Sequence, residues 1–87
     1  MQDAWLKCEV HKGMFSDERA IVYRWRDGRE ESTWVPADKV RGENGTIGAV
    51  RVKVYELNGV EWAMLPTEYS DSIIPAPADV ERDLVEA

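Results

Sequence analysis

Cys8 and His11 are the first residues whose types and spacing could support chemistry. A thiol and an imidazole can together bind a metal ion or act as a nucleophile and its base. Around them Leu6, Cys8 and Val10 alternate with polar residues, which predicts a β-strand. A spacing of three along a strand sends the two side chains to opposite faces, so we expect neither a metal site nor a catalytic pair here.

The other polar motifs do not indicate catalysis either. Gly42, Gly45 and Gly48 precede a predicted strand rather than a helix, which is not the context of a phosphate-binding loop. The pair Glu30-Glu31 stands at the end of a predicted hairpin and is typical of a solvated rim rather than an acid–base pair in a deep cleft. We therefore predict a protein that is not an enzyme and that needs no cofactor and no metal.

A predicted hairpin rich in arginine and aromatic residues is the strongest candidate for a functional site. Its side chains of interest are Tyr23, Arg24, Trp25, Arg26 and Arg29. A small sheet has difficulty burying a ring at a hairpin end, and a Trp beside Arg is a frequent anchor of protein interfaces. We predict that these residues bind a partner, with Trp25 as the apolar anchor; Trp25→Ala would then weaken association and leave the fold intact. The alternative is that the rings serve only the core.

The charge balance bears on the class of partner. The chain has 17 acidic and 11 basic residues, a formal net charge of −6. Such a field repels a phosphate backbone, and Asp27, Glu30 and Glu31 neutralise the arginines locally. We therefore expect a protein partner rather than nucleic acid, and homo-oligomerisation stays open. The alternatives are an acidic regulator or inhibitor of a basic partner, and single-stranded nucleic-acid binding through the Arg-Trp hairpin.

The elements that must position this hairpin are short strands. Alternating apolar residues predict strands over residues 5–12, 19–26, 29–35, 47–57 and 60–65, with a short edge strand at 73–74. Residues 36–40 are typical of a single helical turn. Each half of the chain runs strand, Asp-Gly or Asn-Gly, strand and proline, which raises internal duplication as an alternative to coincidence.

The turn at Asp27-Gly28 decides which side chains share a face in the first hairpin. A two-residue turn is favoured by this dipeptide and would place Ile21 opposite Trp34, most naturally in the core. Arg26 would then face Arg29, which is unfavourable, so a bulged turn stays open.

The second hairpin turns at Asn58-Gly59. A two-residue turn there would put Glu56 opposite Glu61, so we expect a three-residue turn with a bulge. Tyr55 and Trp62 are expected to pair across this hairpin.

These elements predict one all-β (or β-rich α+β) domain in 87 residues: a small, antiparallel, curled sheet or SH3-like partly open barrel of five to six strands. We assign residues 1–75 to the barrel-like domain. Residues 76–87 form a C-terminal helical segment or a flexible tail, because Val80 and Leu84 stand one helical turn apart.

The segment DGREESTWVPADKV, residues 27–40, resembles the end of SH3 domains. In those domains a distal hairpin leads to an aliphatic residue, a proline, a short helical turn and a valine. The resemblance implies a barrel-like fold. We carry over no ligand-binding residue, because the acidic-aromatic opening of SH3 domains is absent here and two further strands follow.

The start of the chain predicts the compartment. Residues 1–8 lack a basic start followed by an apolar stretch, so we expect no secretory signal and no membrane association. The single cysteine, Cys8, cannot form an internal disulfide, which fits a reducing, cytoplasmic location.

Overall fold

One antiparallel sheet contains all eight strands that the structure describes. The computed structural model describes residues 2–67, 72–77 and 80–82. The strands are β1 (Gln2–Lys12), β2 (Glu18–Arg24), β3 (Glu30–Pro36), β4 (Val40–Arg41), β5 (Thr46–Leu57), β6 (Val60–Leu65), β7 (Ser72–Pro75) and β8 (Glu81–Arg82). The only helical element within these ranges is a 3-10 turn at Ala37–Lys39, so the predicted all-β, curled antiparallel sheet is confirmed.

The long strands β1 and β5 form the centre of the sheet. They pair from Gln2 opposite Val54 to Val10 opposite Thr46. The main path runs β3-β2-β1-β5-β6-β7, while β4 also pairs with β5 and β8 also pairs with β1. Each central strand therefore pairs with two different strands along one of its edges. The sheet curls into a small, partly open half-barrel.

The two halves of the chain repeat one order of elements. In the first half, a long strand is followed by a hairpin partner, a third strand and the short β4, which crosses to β5. In the second half β5, β6 and β7 repeat this order, and the short β8 crosses to β1. The repeat noticed in the sequence is thus matched by the topology.

The core lies on the concave face of this half-barrel. Strand residues that point inward alternate with outward ones, as period-2 patterning requires. The buried cluster comprises Ala4, Leu6, Cys8, Val10, Ile21, Tyr23, Val35, Val50, Val52, Val54, Ala63, Leu65, Ile74, Ala76 and Val80. Strands β1, β2, β3, β5, β6 and β7 all contribute to it, so the curl rests on contacts between distant parts of the chain.

The first hairpin closes through a three-residue turn. The Trp25 N–H donates to the Arg29 carbonyl at 2.7 Å, and the Gly28 N–H donates to the Trp25 carbonyl at 2.9 Å. Gly28 has a φ of 91°, the left-handed conformation that such a bulged turn requires. The favoured two-residue turn is therefore wrong and the bulged alternative is confirmed. Arg24 consequently faces Glu30.

This turn moves Trp34 out of the core. A one-residue change of register sends every side chain of a strand to the other face. Trp34 lies opposite Ala20 on the outer face, where it is 37% exposed, and Thr33 takes the place opposite Ile21. The expectation that Trp34 packs with Ile21 in the core is wrong, and Val35 occupies the core instead.

The second hairpin closes through a two-residue turn, contrary to the three-residue turn expected. Asn58 has a φ of 54° and Gly59 a φ of 80°, so Leu57 faces Val60 and Glu56 faces Glu61. Asn-Gly is the dipeptide best suited to positive φ at both central positions. That preference outweighs a like-charge pair, which costs only a few tenths of a kcal/mol at an exposed site.

Residues 76–87 are predicted to form a helical segment or a flexible tail, and the described part of this segment includes the short strand β8. Glu81 and Arg82 pair with β1, opposite Trp5 and Ala4. The described residues Ala76 and Val80 pack in the core. Position 84, the second half of the predicted helical turn, lies outside the described residues.

Candidate binding surfaces

Tyr23, the first residue of the Arg-Trp hairpin site, is part of the core. Its side chain is 3% exposed, and its hydroxyl donates to Glu31 Oε2 at 3.1 Å. Burial, followed by the neighbouring Glu31 carboxylate, raises the pKa of Tyr23 to about 12. The hydroxyl therefore stays protonated at neutral pH and serves as an internal hydrogen-bond donor.

Arg24 and Arg29 interact with side chains of their own hairpin. Arg24 Nη2 lies 3.1 Å from Glu30 Oε2, and Arg29 Nη2 lies 3.8 Å from Asp27 Oδ2. The Arg29 guanidinium also stacks over the Trp25 ring, 4.1 Å from its centroid. Both ion pairs are well exposed, so they contribute little stability, but they place a carboxylate beside each guanidinium.

Arg26 and Trp25 tie this hairpin to the end of the chain. Arg26 donates from Nε and Nη2 to the Ala76 carbonyl, at 3.2 and 2.5 Å. Trp25 is half-buried and packs against the core, and its buried Nε1 has no hydrogen-bond partner among the described residues. The hairpin thus acts as a clamp on the segment that leads to β8.

We expect Trp25→Ala to lower the free energy of unfolding by about 2 kcal/mol, less than for a fully buried Trp because part of the ring is exposed. A denaturant titration measures this loss. Trp34→Ala is the matched control, since Trp34 lies on the outer face of β3, and we expect it to cost under about 1 kcal/mol. Full stability of the Trp25 variant would mean instead that the ring is available to a partner.

Cys8 and His11 lie on opposite faces of β1, as predicted. Cys8 is buried, and burial raises the pKa of its thiol to about 12, so the thiol stays protonated and is a poor nucleophile at neutral pH. His11 Nε2 lies 3.1 Å from Glu9 Oε1 on the outer side. Within residues 2–67, 72–77 and 80–82, no three His, Cys, Asp or Glu side chains come together in a way that could hold a metal ion.

The outer side of the second hairpin carries an exposed apolar surface, which we call the apolar face. Its members are Tyr55, Leu57, Val60, Trp62, Met64, Ile73 and Pro75. Cross-strand pairing arranges them in three rows. Leu57 faces Val60 in the first row, and Met64 faces Ile73 in the third. In the second row Trp62 lies between Tyr55 and Pro75, so the predicted Tyr55–Trp62 pair is confirmed. Leu57 is 58% exposed, Ile73 46% and Val60 39%, and the other four are half-buried.

These strands are apolar on both sides. Ala63, Leu65 and Ile74 alternate with the members of the apolar face and fill the core. Strands that are apolar on both faces are typical of sheets covered on both sides. The apolar run Trp62-Ala63-Met64-Leu65 is the sequence signal for this surface, because apolar residues at successive positions of a strand lie on both of its sides.

Beside the apolar face lies a group of basic side chains, which we call the cationic end. Arg41 and Arg51 lie over the ring of Trp5, Lys39 and Lys53 line a cleft with Arg51, and Lys7 follows Trp5 by two residues on β1. The guanidinium carbons of Arg41 and Arg51 lie 4.3 and 5.1 Å from the centroid of that ring. These contacts are cation–π interactions, which orient the two arginines on the outer surface.

Asp3 lies at the border between the two surfaces. Lys53 Nζ donates to its Oδ1, and Arg51 Nη2 lies 3.1 Å from its Oδ2. The hydrogen bonds from Lys53 and Arg51 hold the pKa of Asp3 below its usual value. The carboxylate therefore stays ionised and orients both cations at neutral pH.

A cleft of about 260 Å³ opens where the cationic end meets the apolar face. Strand β4 pairs with β5 at Val50, and β6 pairs with β5 from Lys53 onward. The cleft lies along β5 between these two paired regions. Lys39, Arg51 and Met64 are among its lining residues. It therefore offers both positive charge and apolar surface to the same ligand.

Comparisons with models of known protein families, with curated proteins and with solved structures find no match for this chain. The described residues contain no helix with the length and apolar character needed to cross a membrane. The fold defines the class of protein as a small antiparallel half-barrel. Inference about its function therefore starts from the surfaces described above.

Proposed function

We propose that this protein is a non-catalytic protein-interaction module or accessory subunit, and that the apolar face is its contact surface. One observation carries the proposal: three successive cross-strand rows are apolar on the side of the sheet that faces away from the core. Contiguous exposed apolar surface is a mark of protein interfaces, and rings such as Tyr55 and Trp62 are frequent anchors in them.

The Arg-Trp hairpin supports a contact surface less well. Tyr23 is in the core, Arg26 holds the Ala76 carbonyl, and Arg29 stacks on Trp25. Releasing these groups to a partner would expose or unpair them, which costs free energy. We therefore place the primary contact on the apolar face and give the hairpin a structural role.

Two further parts of the proposal are supported by smaller features. The order of β3, the 3-10 turn and β4 agrees with the local resemblance to SH3 domains, which are themselves interaction modules. The buried free thiol of Cys8 suits a cytoplasmic, reducing location.

The test is affinity capture from the source lysate, with nuclease present, followed by mass spectrometry. The variant is Leu57→Ser with Ile73→Ser, two exposed positions that the fold does not need. The control is Ile47→Ser, which removes an equally apolar side chain, 60% exposed, from the other end of β5. We expect the same protein partner on wild type and control, and about a tenfold loss on the variant.

Two results would contradict the proposal. Equal recovery of the partner by the variant and the control would remove the apolar face from the interface. Loss of all partners on nuclease treatment would favour the nucleic-acid alternative.

A further inference from the structure

We infer that the open edge of β3 pairs with β3 of a second copy of this chain, in antiparallel orientation about a two-fold axis at Ser32. Two half-barrels then share one continuous sheet. The inference goes beyond the proposed function, because β3 lies at one end of the strand order and the apolar face lies on β5, β6 and β7 at the other. Both apolar faces therefore stay open in the dimer.

The first observation is that the outer edge of β3 is uncovered. Among the described strands, β3 pairs with β2 alone, over the seven residues from Glu30 to Pro36. Glu30, Glu31, Ser32 and Trp34 are exposed. An exposed strand edge presents unpaired backbone N–H and C=O groups, which can pair with a strand of another chain.

The short strands at the other edges of the sheet are protected against such pairing. Strands β4 and β8 have two residues each, and β7 has four and ends in Pro75. Short strands and proline are the features with which proteins prevent pairing at an edge. The only proline of β3, Pro36, is its last residue. Among the described strands, β3 is therefore the edge that best accommodates another strand.

The hairpin turn determines which backbone groups of β3 point outward. The Trp25 N–H donates to the Arg29 carbonyl, so these two residues form a hydrogen-bonded pair. Hydrogen-bonded pairs alternate along an antiparallel ladder. Every second residue of β3 therefore bonds to β2, and the residues between them direct their N–H and C=O groups to the open edge. These outward groups belong to Glu30, Ser32 and Trp34.

One antiparallel register of two β3 strands uses all of these outward groups. With Ser32 opposite Ser32 of the second copy, Glu30 lies opposite the second copy's Trp34, and every such pair exchanges two backbone hydrogen bonds. An axis at Glu30 would set two carboxylates opposite each other, which is unfavourable. An axis at Trp34 would need an N–H from Pro36, which proline lacks. Strand β3 is therefore complementary to itself with the axis at Ser32.

The two carboxylates at the start of β3 do not oppose this pairing. Glu30 Oε2 lies 3.1 Å from Arg24 Nη2, and Glu31 Oε2 accepts a hydrogen bond from the Tyr23 hydroxyl. In the Ser32 register Glu31 lies opposite Thr33 of the second copy, so no carboxylate faces another. Pairing of β3 with itself covers the open edge of both copies in one contact, so assembly stops at the dimer.

The experiment measures self-association of the full chain by sedimentation velocity over a concentration series. We expect a weak dimer with a dissociation constant on the order of 100 µM, because the contact is one short ladder. Amide hydrogen exchange followed by NMR locates the contact. The amides of Glu30, Ser32 and Trp34 should exchange about fourfold more slowly at about 1 mM than at about 10 µM, since they gain acceptors only in the dimer.

Ser32→Lys is the first variant, because it keeps the N–H and sets two like charges opposite each other at the axis. Its matched control is Ser16→Lys, the same change at an exposed serine between β1 and β2. We expect the first to weaken dimerisation about fivefold at low salt and the control less than about twofold. Ser32→Pro removes an N–H that points away from β2, and should weaken dimerisation more than about tenfold.

Several results would overturn the inference. A chain that stays monomeric up to about 1 mM has no such contact. A dimer in which the three outward amides exchange equally fast at both concentrations is held elsewhere, and equal weakening by Ser32→Lys and Ser16→Lys has the same meaning. Loss of the dimer in Leu57→Ser with Ile73→Ser, but not in Ser32→Lys, would assign the contact to the apolar face. Capture of a protein partner by the apolar face is a separate measurement, so the two proposals can fail independently.

Discussion

Replacing Gly48 with alanine is expected to destabilise the protein by about 3 kcal/mol or more. A Cβ at this position of β5 would lie 2.1 Å from the backbone oxygen of Arg41 and 3.0 Å from the Gly42 Cα. Both contacts are with backbone atoms, which cannot rotate away as a flexible side chain does. Relief of the clash would pull β4 off β5, where Val40 and Arg41 pair.

Gly45→Ala is the control for this prediction. Gly45 has a φ of 81°, but a Cβ there would meet no atom within 4 Å. Its substitution therefore reports backbone strain alone, about 1 to 2 kcal/mol. Denaturant titrations of both variants give the comparison, and equal losses would show that the close approach of β4 to β5 is not what requires glycine at position 48.

Leu6→Ala is expected to lower the free energy of unfolding by about 3 kcal/mol. Leu6 is 1% exposed and lies opposite Val50 at the centre of the β1–β5 pair. Truncation removes buried apolar surface and leaves a cavity that the two paired central strands cannot collapse to fill. For a domain of this size the loss corresponds to a midpoint of thermal unfolding roughly 12 to 24 °C lower.

The control for Leu6 is the same substitution at Leu57, a residue that is 58% exposed. Leu57→Ala is expected to cost under about 1 kcal/mol, because most of its side chain already contacts water. Thermal and chemical unfolding of the pair measures the difference. Similar losses at both positions would mean that the inward side of β1 is not the core.

The positions of the strands were predictable because alternation is a local property. Residues 60–65 form β6 as predicted, and β5 begins one residue before the predicted start at position 47. The register of the hairpins was not predictable in the same way. Asp27-Gly28 suits both a two-residue turn and a type I turn with a bulge. The difference in free energy between these turns is smaller than the free energy of the contacts that the rest of the sheet makes.

For the candidate site, too, the sequence predicted which residues to consider but not the contacts that they make. Residue types and spacing drew attention to Trp25 and its arginines, but the partner of Arg26 is the Ala76 carbonyl, 50 positions further along the chain. Whether a guanidinium is available to a ligand depends on such distant contacts. The apolar face was missed for a related reason, since only the pairing of β6 with β5 and β7 brings Trp62 and Met64 into one surface with Tyr55 and Ile73.

The sequence by itself determined the all-β class, the positions of most strands and the separation of Cys8 from His11, because each follows from period-2 alternation over a few residues. Only the tertiary structure decided which side of each strand faces the core, how β4 and β8 close the half-barrel, and which surface stays open. Those outcomes depend on turn geometry and on pairing between distant residues, such as Arg41 with Ala49 and Trp5 with Glu81. Two turns can differ little in free energy. The register is then determined by the many contacts that the sheet makes in one register and not in the other.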